Sequence, residues 1–162
     1  MSKVLTLKEP FATLIKNEKK YIETRSWKTN YRGELYIHAG KKKIGNSIVG
    51  RNELISLIGN DSMNYEYIIC KCELVDCIYM TKEFIREIKE KNHQQYICGE
   101  YGVGRYAWIL KNIIPLQTPI KAKGQLGLWN YEKNNLKWDC FFCFLPFFIY
   151  SIKCCFMTSI IF

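Results

Sequence analysis

The sequence has no internal repeat and no low-complexity linker, and only two histidines occur in its 162 residues. Its N-terminus, Met1-Ser2-Lys3-Val4, lacks the apolar core of a signal peptide. Without that core the protein is expected inside the cell, cytoplasmic or nuclear in a eukaryote, where thiols stay reduced. His38 and His93 are too far apart to suggest a ligand pair, and no metal or cofactor is expected. Acid is scarce too, with 15 Asp and Glu against 24 Lys and Arg. The formal net charge of +9 favours polyanionic partners: nucleic acid first, acidic membrane surfaces second.

What remains is an ordinary globular composition, 48% hydrophobic and 24% charged, which excludes collagen and wholesale disorder. The length fits one domain of about 100–200 residues, and a monomer is expected. Eight cysteines are present, Cys70, Cys72, Cys77 and Cys98 in mid-chain and Cys140, Cys143, Cys154 and Cys155 near the end. Their spacing forms neither a disulfide framework nor the paired knuckles of a zinc site, so Cys70 and Cys72 read as small buried hydrophobes.

After Trp138 the character changes. Residues 140–162 carry a single charge, Lys153, and are long enough to cross a bilayer, which needs about 20 apolar residues. Pro146 and the mid-segment Lys153 oppose a span. Three readings stand: a membrane anchor, a hydrophobic extension packed on the domain, or sequence beyond a domain already complete. The expected division is 1–138 for the domain and 139–162 for the tail.

Within the domain, Val4 to Leu7 reads as a strand, and Pro10 opens a helix with Phe11, Leu14 and Ile15 at helical spacing. Tyr21 to Trp27 is extended. Glu34 to Ala39 alternates Leu35, Ile37 and Ala39 against Glu34, Tyr36 and His38, which predicts a half-buried strand with His38 on its polar face. Lys41-Lys42-Lys43 should follow as a solvated loop. A helix is expected from Asn52 to Ile58, a long strand from Tyr67 to Tyr79, and a helix from Lys82 to Asn92 capped by Thr81. Arg105 to Leu110 is extended, Pro115 and Pro119 bracket a loop or edge strand, and Gly124 to Gly127 turns into a last strand at Leu128 to Tyr131. Gly99, Gly102 and Gly104 precede a strand, the wrong context for a phosphate-binding loop. Strands without strict helix alternation indicate an α+β domain around a curled sheet or small barrel, with five to six strands and two to three flanking helices.

The densest chemistry lies between Lys19 and Arg32. An extended Tyr21 to Trp27 puts Tyr21, Glu23, Arg25 and Trp27 on one side, so a carboxylate, a guanidinium and two aromatics share a surface. Arg clamps phosphate or stacks on a base, and an aromatic platform is worth about 1–3 kcal/mol per stacked base. The plainer reading is a cross-strand Glu–Arg pair beside a partly buried aromatic. Trp108 and Trp129, flanked by aliphatics, read as core anchors.

Several separated stretches together resemble the ASCH domain family: Leu5-Thr6-Leu7 through Pro10-Phe11-Ala12-Thr13-Leu14-Ile15, Lys20-x-x-Glu23-x-Arg25-Ser26-Trp27, Tyr31-Arg32-Gly33, Ile37-His38-Ala39, Gly104 to Leu110, and Lys123-Gly124-Gln125-x-Gly127-Leu128-Trp129. The resemblance implies a PUA-like fold, a small β-barrel with helices at its side, that binds RNA or DNA, with a regulatory role in transcription or RNA metabolism. It implies a cleft lined by Lys20, Glu23, Arg25, Trp27, Tyr31 and Arg32, approached by Arg105, Tyr106, Lys123 and Gln125. Lys41 would add affinity beside such a cleft without base selectivity. Where the family often has Gly before the Lys, this chain has Asn17-Glu18-Lys19. Some relatives deacylate a modified pyrimidine nucleoside with a Lys-x-x-Thr arrangement. Here Glu23 holds the Thr position, and Thr24 should face the opposite side of the strand. The alternative function is therefore a nucleoside-directed amidohydrolase-like enzyme in which Glu23 acts as general base and Lys20 stabilises developing negative charge.

Overall fold

The computed structural model describes residues 1–43 and 51–132. The apolar tail, its four cysteines and the expected boundary after residue 138 lie outside the described residues. Among the described residues, no helix is long and apolar enough to cross a membrane.

Among the described residues, six strands and four helices follow one another: β1 (Ser2–Glu9), α1 (Phe11–Lys16), β2 (Ile22–Arg25), β3 (Gly33–Lys43), α2 (Arg51–Ser56), β4 (Tyr67–Tyr79), α3 (Lys82–Lys91), α4 (His93–Ile97), β5 (Tyr106–Lys121) and β6 (Leu128–Tyr131). They form a single mixed sheet in the order β2-β5-β4-β3-β1-β6. Among the described strands, only β1 and β3 run parallel. Parallel neighbours need a crossover, and α1 and β2 supply it. The architecture is α+β, as the pattern of elements predicts, and the sheet curls without backbone pairing between its outer strands β2 and β6. A side chain spans part of that gap: Arg25 Nη2 donates to the Thr6 carbonyl of β1 at 3.2 Å.

One face of the curled sheet encloses the main core, where Leu5, Leu7, Leu35, Ile37, Cys70, Cys72, Leu74, Trp108 and Leu110 meet Ala12 and Ile15 of α1. Trp108 is fully buried, as its aliphatic flanks predict. The four described cysteines are free thiols, and burial pushes the Cys72 thiol up to about 12. Helix α1 is held at its start by Glu9, whose carboxylate accepts from the Thr13 amide at 3.0 Å and the Thr13 hydroxyl at 2.9 Å. That carboxylate satisfies a donor that the helix itself leaves open. Burial still raises the Glu9 pKa against those bonds.

Three expectations need correction. His38 is buried, not on a solvent face: Val4, Tyr36, Ile68 and Trp129 make a second cluster on that side of β3, with Leu116 and Ile120 packed on it. Alternation identified the two faces of the strand but not the cover that β6 and the end of β5 place over the polar-looking one. Lys41 to Lys43 continue β3 instead of forming a loop, because Lys43 pairs with Glu9. The edge-strand reading of Pro115 and Pro119 holds: both lie in the part of β5 that pairs with β4 alone, which absorbs them through register shifts; irregularities of this kind are where a sheet tolerates proline. Finally, α4 is a fourth helix that periodicity does not reveal, since it is five residues long.

Candidate functional site

The chain leaves α1 through a tight turn in which Glu18 takes φ +57° and the amides of Lys19 and Lys20 both donate to Leu14 O. The Glu18 backbone conformation is one that glycine adopts without steric cost. This turn delivers Lys20 inward. Its side chain is fully buried, and its ammonium donates to Ile22 O at 2.5 Å and to Cys98 O at 2.7 Å while lying 3.3 Å from Glu23 Oε2. An ammonium has three donors, and three oxygens surround this one. The Phe11 ring closes the pocket, 5.6 Å from Nζ.

Strand β2 sets the remaining geometry. It pairs antiparallel with β5 so that Glu23 lies opposite Trp108 and Arg25 opposite Tyr106. Residues two apart share a face, and Glu23 and Arg25 both point to the core side. Glu23 is buried, and its second oxygen lies 3.4 Å from Arg25 Nε. Lys20, Glu23 and Arg25 thus form a continuous charge chain from the protein interior to the β1–β2 gap. Arg25 is the member that reaches solvent, with 24% of its side chain exposed. Just beyond it the Trp27 ring meets Trp108 edge to face at 4.6 Å and keeps 36% exposure. The arrangement is an aromatic surface beside a guanidinium whose position is fixed from behind.

Thr24 faces the other way, as expected: its hydroxyl accepts from the Glu100 amide at 2.9 Å, and Gly99 lies so close that a Cβ there would stand 2.7 Å from the Thr24 methyl. Tyr21 does not join Glu23 and Arg25. Its hydroxyl accepts from Asn92 Nδ2.

Two residues of the site were not anticipated. Gln95, fully buried, accepts from the amides of Tyr21 and Ile22 at 2.9 and 3.1 Å and donates to Lys19 O at 2.7 Å, which fixes the segment carrying Lys20. The spacing Asn92-x-x-Gln95 was a readable helix-start signal, and Asn92 Oδ1 does accept from the Gln95 amide at 3.2 Å. Thr6 is the other. Its carbonyl receives Arg25, and its hydroxyl accepts from Trp129 Nε1 at 3.0 Å. Gly40 and Gly124 both pack on its methyl group, and Lys41, Lys123 and Gln125, beside those glycines in sequence, have exposed side chains.

The remaining candidates are held elsewhere. Arg32 donates to Thr29 O and Tyr31 O and pairs with Asp76 at 3.0 Å, while the Tyr31 hydroxyl donates to Glu34 O. Both secure the turn before β3. Arg105 is tied to Glu100 at 3.1 Å. Tyr106 meets Tyr79 edge to face at 5.6 Å, in the cross-strand row that starts at Arg25. Among the described residues, no three His, Cys, Asp or Glu side chains converge as metal ligands.

Two solved structures share this fold: the ASCH protein of Zymomonas mobilis, with 14% identity, TM-score 0.52, and coverage of 83% of this chain and 90% of that one, and a Tyr-to-Phe variant of it, with 15% identity, TM-score 0.51, and coverage of 83% and 93%. No curated protein matches the chain. The ASCH domain profile matches residues 5–143, a span that includes β2, β5 and the whole Lys20–Glu23–Arg25 chain. The protein belongs to the ASCH domain family.

Proposed function

We propose that the protein binds RNA, or an unpaired base of single-stranded nucleic acid, at the β1–β2 gap. The observation that carries this reading is a charge chain that begins on a fully enclosed Lys20 and ends on a partly exposed Arg25 beside Trp27. Enclosing charged groups costs several kcal/mol per ion, and well-packed apolar residues are often at least as stabilising. A chain of this kind is poorly explained by stability alone and well explained by a ligand at its open end. Arg25 supplies the phosphate or base contact, Trp27 the stacking surface, and Glu23 the carboxylate whose ion pair orients Arg25. Lys41 and Lys123 add attraction for a polyanion from the opposite rim.

The test is fluorescence anisotropy with short single-stranded RNA and DNA across a salt series. Affinity should fall as salt rises, and Arg25→Gln and Trp27→Ala should each weaken it. Affinity that ignores salt, or survives both substitutions together, refutes the reading.

The hydrolase alternative needs Lys20 or Glu23 to meet a substrate. All three Lys20 donors already face protein oxygens, and Thr24 is committed to Glu100. These contacts favour binding over turnover. Hydrolysis of an acylated pyrimidine nucleoside that disappears in Glu23→Gln would reverse that order.

A further inference from the structure

Helix α3 separates its charges. Lys82, Arg86 and Lys89 recur at i, i+4 and i+7 and share one flank, while Glu83, Glu87 and Glu90 repeat the same spacing one residue later. Its apolar side chains Phe84, Ile85 and Ile88 pack on the Ile22, Met80 and Ala107 cluster behind the sheet. The basic flank lines a groove of about 670 Å³ that runs between α3 and the segment containing Tyr96 and Val103. Three cations border it against one carboxylate, Glu90. Aromatic surface is present as well: Tyr96 lies 5.6 Å under the Lys89 ammonium and stacks on Tyr101 at 5.5 Å with an interplanar angle of 27°.

This groove lies behind the sheet, and residues at the end of β4 and the start of β5 lie between it and the candidate site. Arg25, Tyr106 and Tyr79 form one cross-strand row. Tyr79 stands at the last position of β4 with half its surface exposed, two residues before the Thr81 cap of α3. A Cβ at Gly104 would lie 3.9 Å from the Tyr79 hydroxyl, and the neighbouring Val103, 56% exposed, already borders the groove. A ring, a glycine and an exposed valine thus connect Arg25 to Lys82 over the rim of the sheet.

We infer that the α3 groove is a second, sequence-independent contact for single-stranded nucleic acid, followed by the strand whose base occupies the β1–β2 gap. Lys82, Arg86 and Lys89 take backbone phosphates and Tyr96 offers a ring face. The inference rests on the reading of the gap given above, and it adds a length requirement: a short oligonucleotide fills the gap alone, whereas a longer one gains the groove.

The experiment compares single-stranded RNA of about 3 and about 12 nucleotides, one shorter than common single-strand site sizes and one within them. Each is bound to the wild-type chain, to Lys82→Gln/Arg86→Gln/Lys89→Gln, and to Arg25→Gln. The triple variant should bind the long RNA at least tenfold more weakly and the short one unchanged. The slope of log affinity on log salt should drop by about 2, at about 0.7 per lost single-strand phosphate contact. Equal affinity of the triple variant for the long RNA overturns the groove while Arg25→Gln still tests the gap. Equal loss for short and long RNA also overturns it. So does displacement of long RNA by poly-glutamate at the same charge concentration as effectively as by unlabelled RNA, because that outcome assigns the groove to acidic peptides. Absence of any RNA binding by the wild-type chain defeats the reading of the gap and the groove with it.

Discussion

Lys20 Nζ lies 3.3 Å from Glu23 Oε2 with both side chains almost wholly buried. Neither charge has water to fall back on. Removing one partner of a buried pair costs about 3–5 kcal/mol, because the other is left uncompensated. Lys20→Ala should therefore destabilise the fold by that amount in urea denaturation. Pairing it with Glu23→Gln should restore part of the loss, because the buried carboxylate left with Arg25 as its one charged partner is gone. A double variant as unstable as the sum of both single variants would show that the pair is not coupled.

Trp27 and Trp108 touch edge to face at 4.6 Å yet should respond differently to truncation. Trp108→Ala empties a fully buried site and should cost about 3–5 kcal/mol of stability. Trp27→Ala should cost far less stability and instead remove about 1–3 kcal/mol of binding to single-stranded RNA. Thermal melts and anisotropy titrations separate the two effects. A binding loss no larger than the stability loss would make Trp27 a packing residue only.

Gly124 is confined by the residues beneath it. A Cβ there would stand 2.6 Å from His38 Cε1 and 3.0 Å from the Thr6 methyl. Neither is free to move, since His38 Nε2 is bonded to Ala122 O at 2.9 Å and Thr6 belongs to β1. Gly124→Ala should destabilise the protein by about 1–3 kcal/mol, the range for overpacking. It should also weaken RNA binding by shifting Lys123 and Gln125 away from Thr6. An unchanged melting temperature would refute the crowding.

Burial lowers the His38 pKa below its ordinary value, although the Ala122 carbonyl and Glu66 oppose the shift. The unfolded chain therefore takes up the proton first as the pH falls. His38 contributes stability that is fully present above about pH 6.5, the unperturbed histidine value, and is lost progressively below it. Denaturation midpoints from pH 7.5 down to 5 should fall more steeply for the wild-type protein than for His38→Gln. An NMR titration midpoint for His38 at or above 6.5 would contradict the sign.

The local pattern of the chain was sufficient for several elements. Tyr67–Tyr79 is β4, Leu128–Tyr131 is β6, and Thr81 caps α3 by accepting from the Phe84 amide at 3.2 Å. Each follows from side-chain period or from a hydrogen bond three residues long. The opposition of Thr24 to Glu23 and Arg25 follows in the same way from the pleat of a strand.

Tertiary structure decided which charges are enclosed. Lysine defaults to solvent, and nothing near Lys20 in sequence reveals that Cys98, 78 residues away, supplies one of its acceptors. Nor does the alternation around His38 reveal that Trp129 and the end of β5 cover that face. Amino-acid order by itself determined most of the strands, the Thr81 cap and the family motif, because these depend on neighbours within a turn or a pleat. The depth of Lys20, the reach of Arg25 across the β1–β2 gap and the burial of His38 were decided only in three dimensions, because burial depends on what distant segments bring to a face.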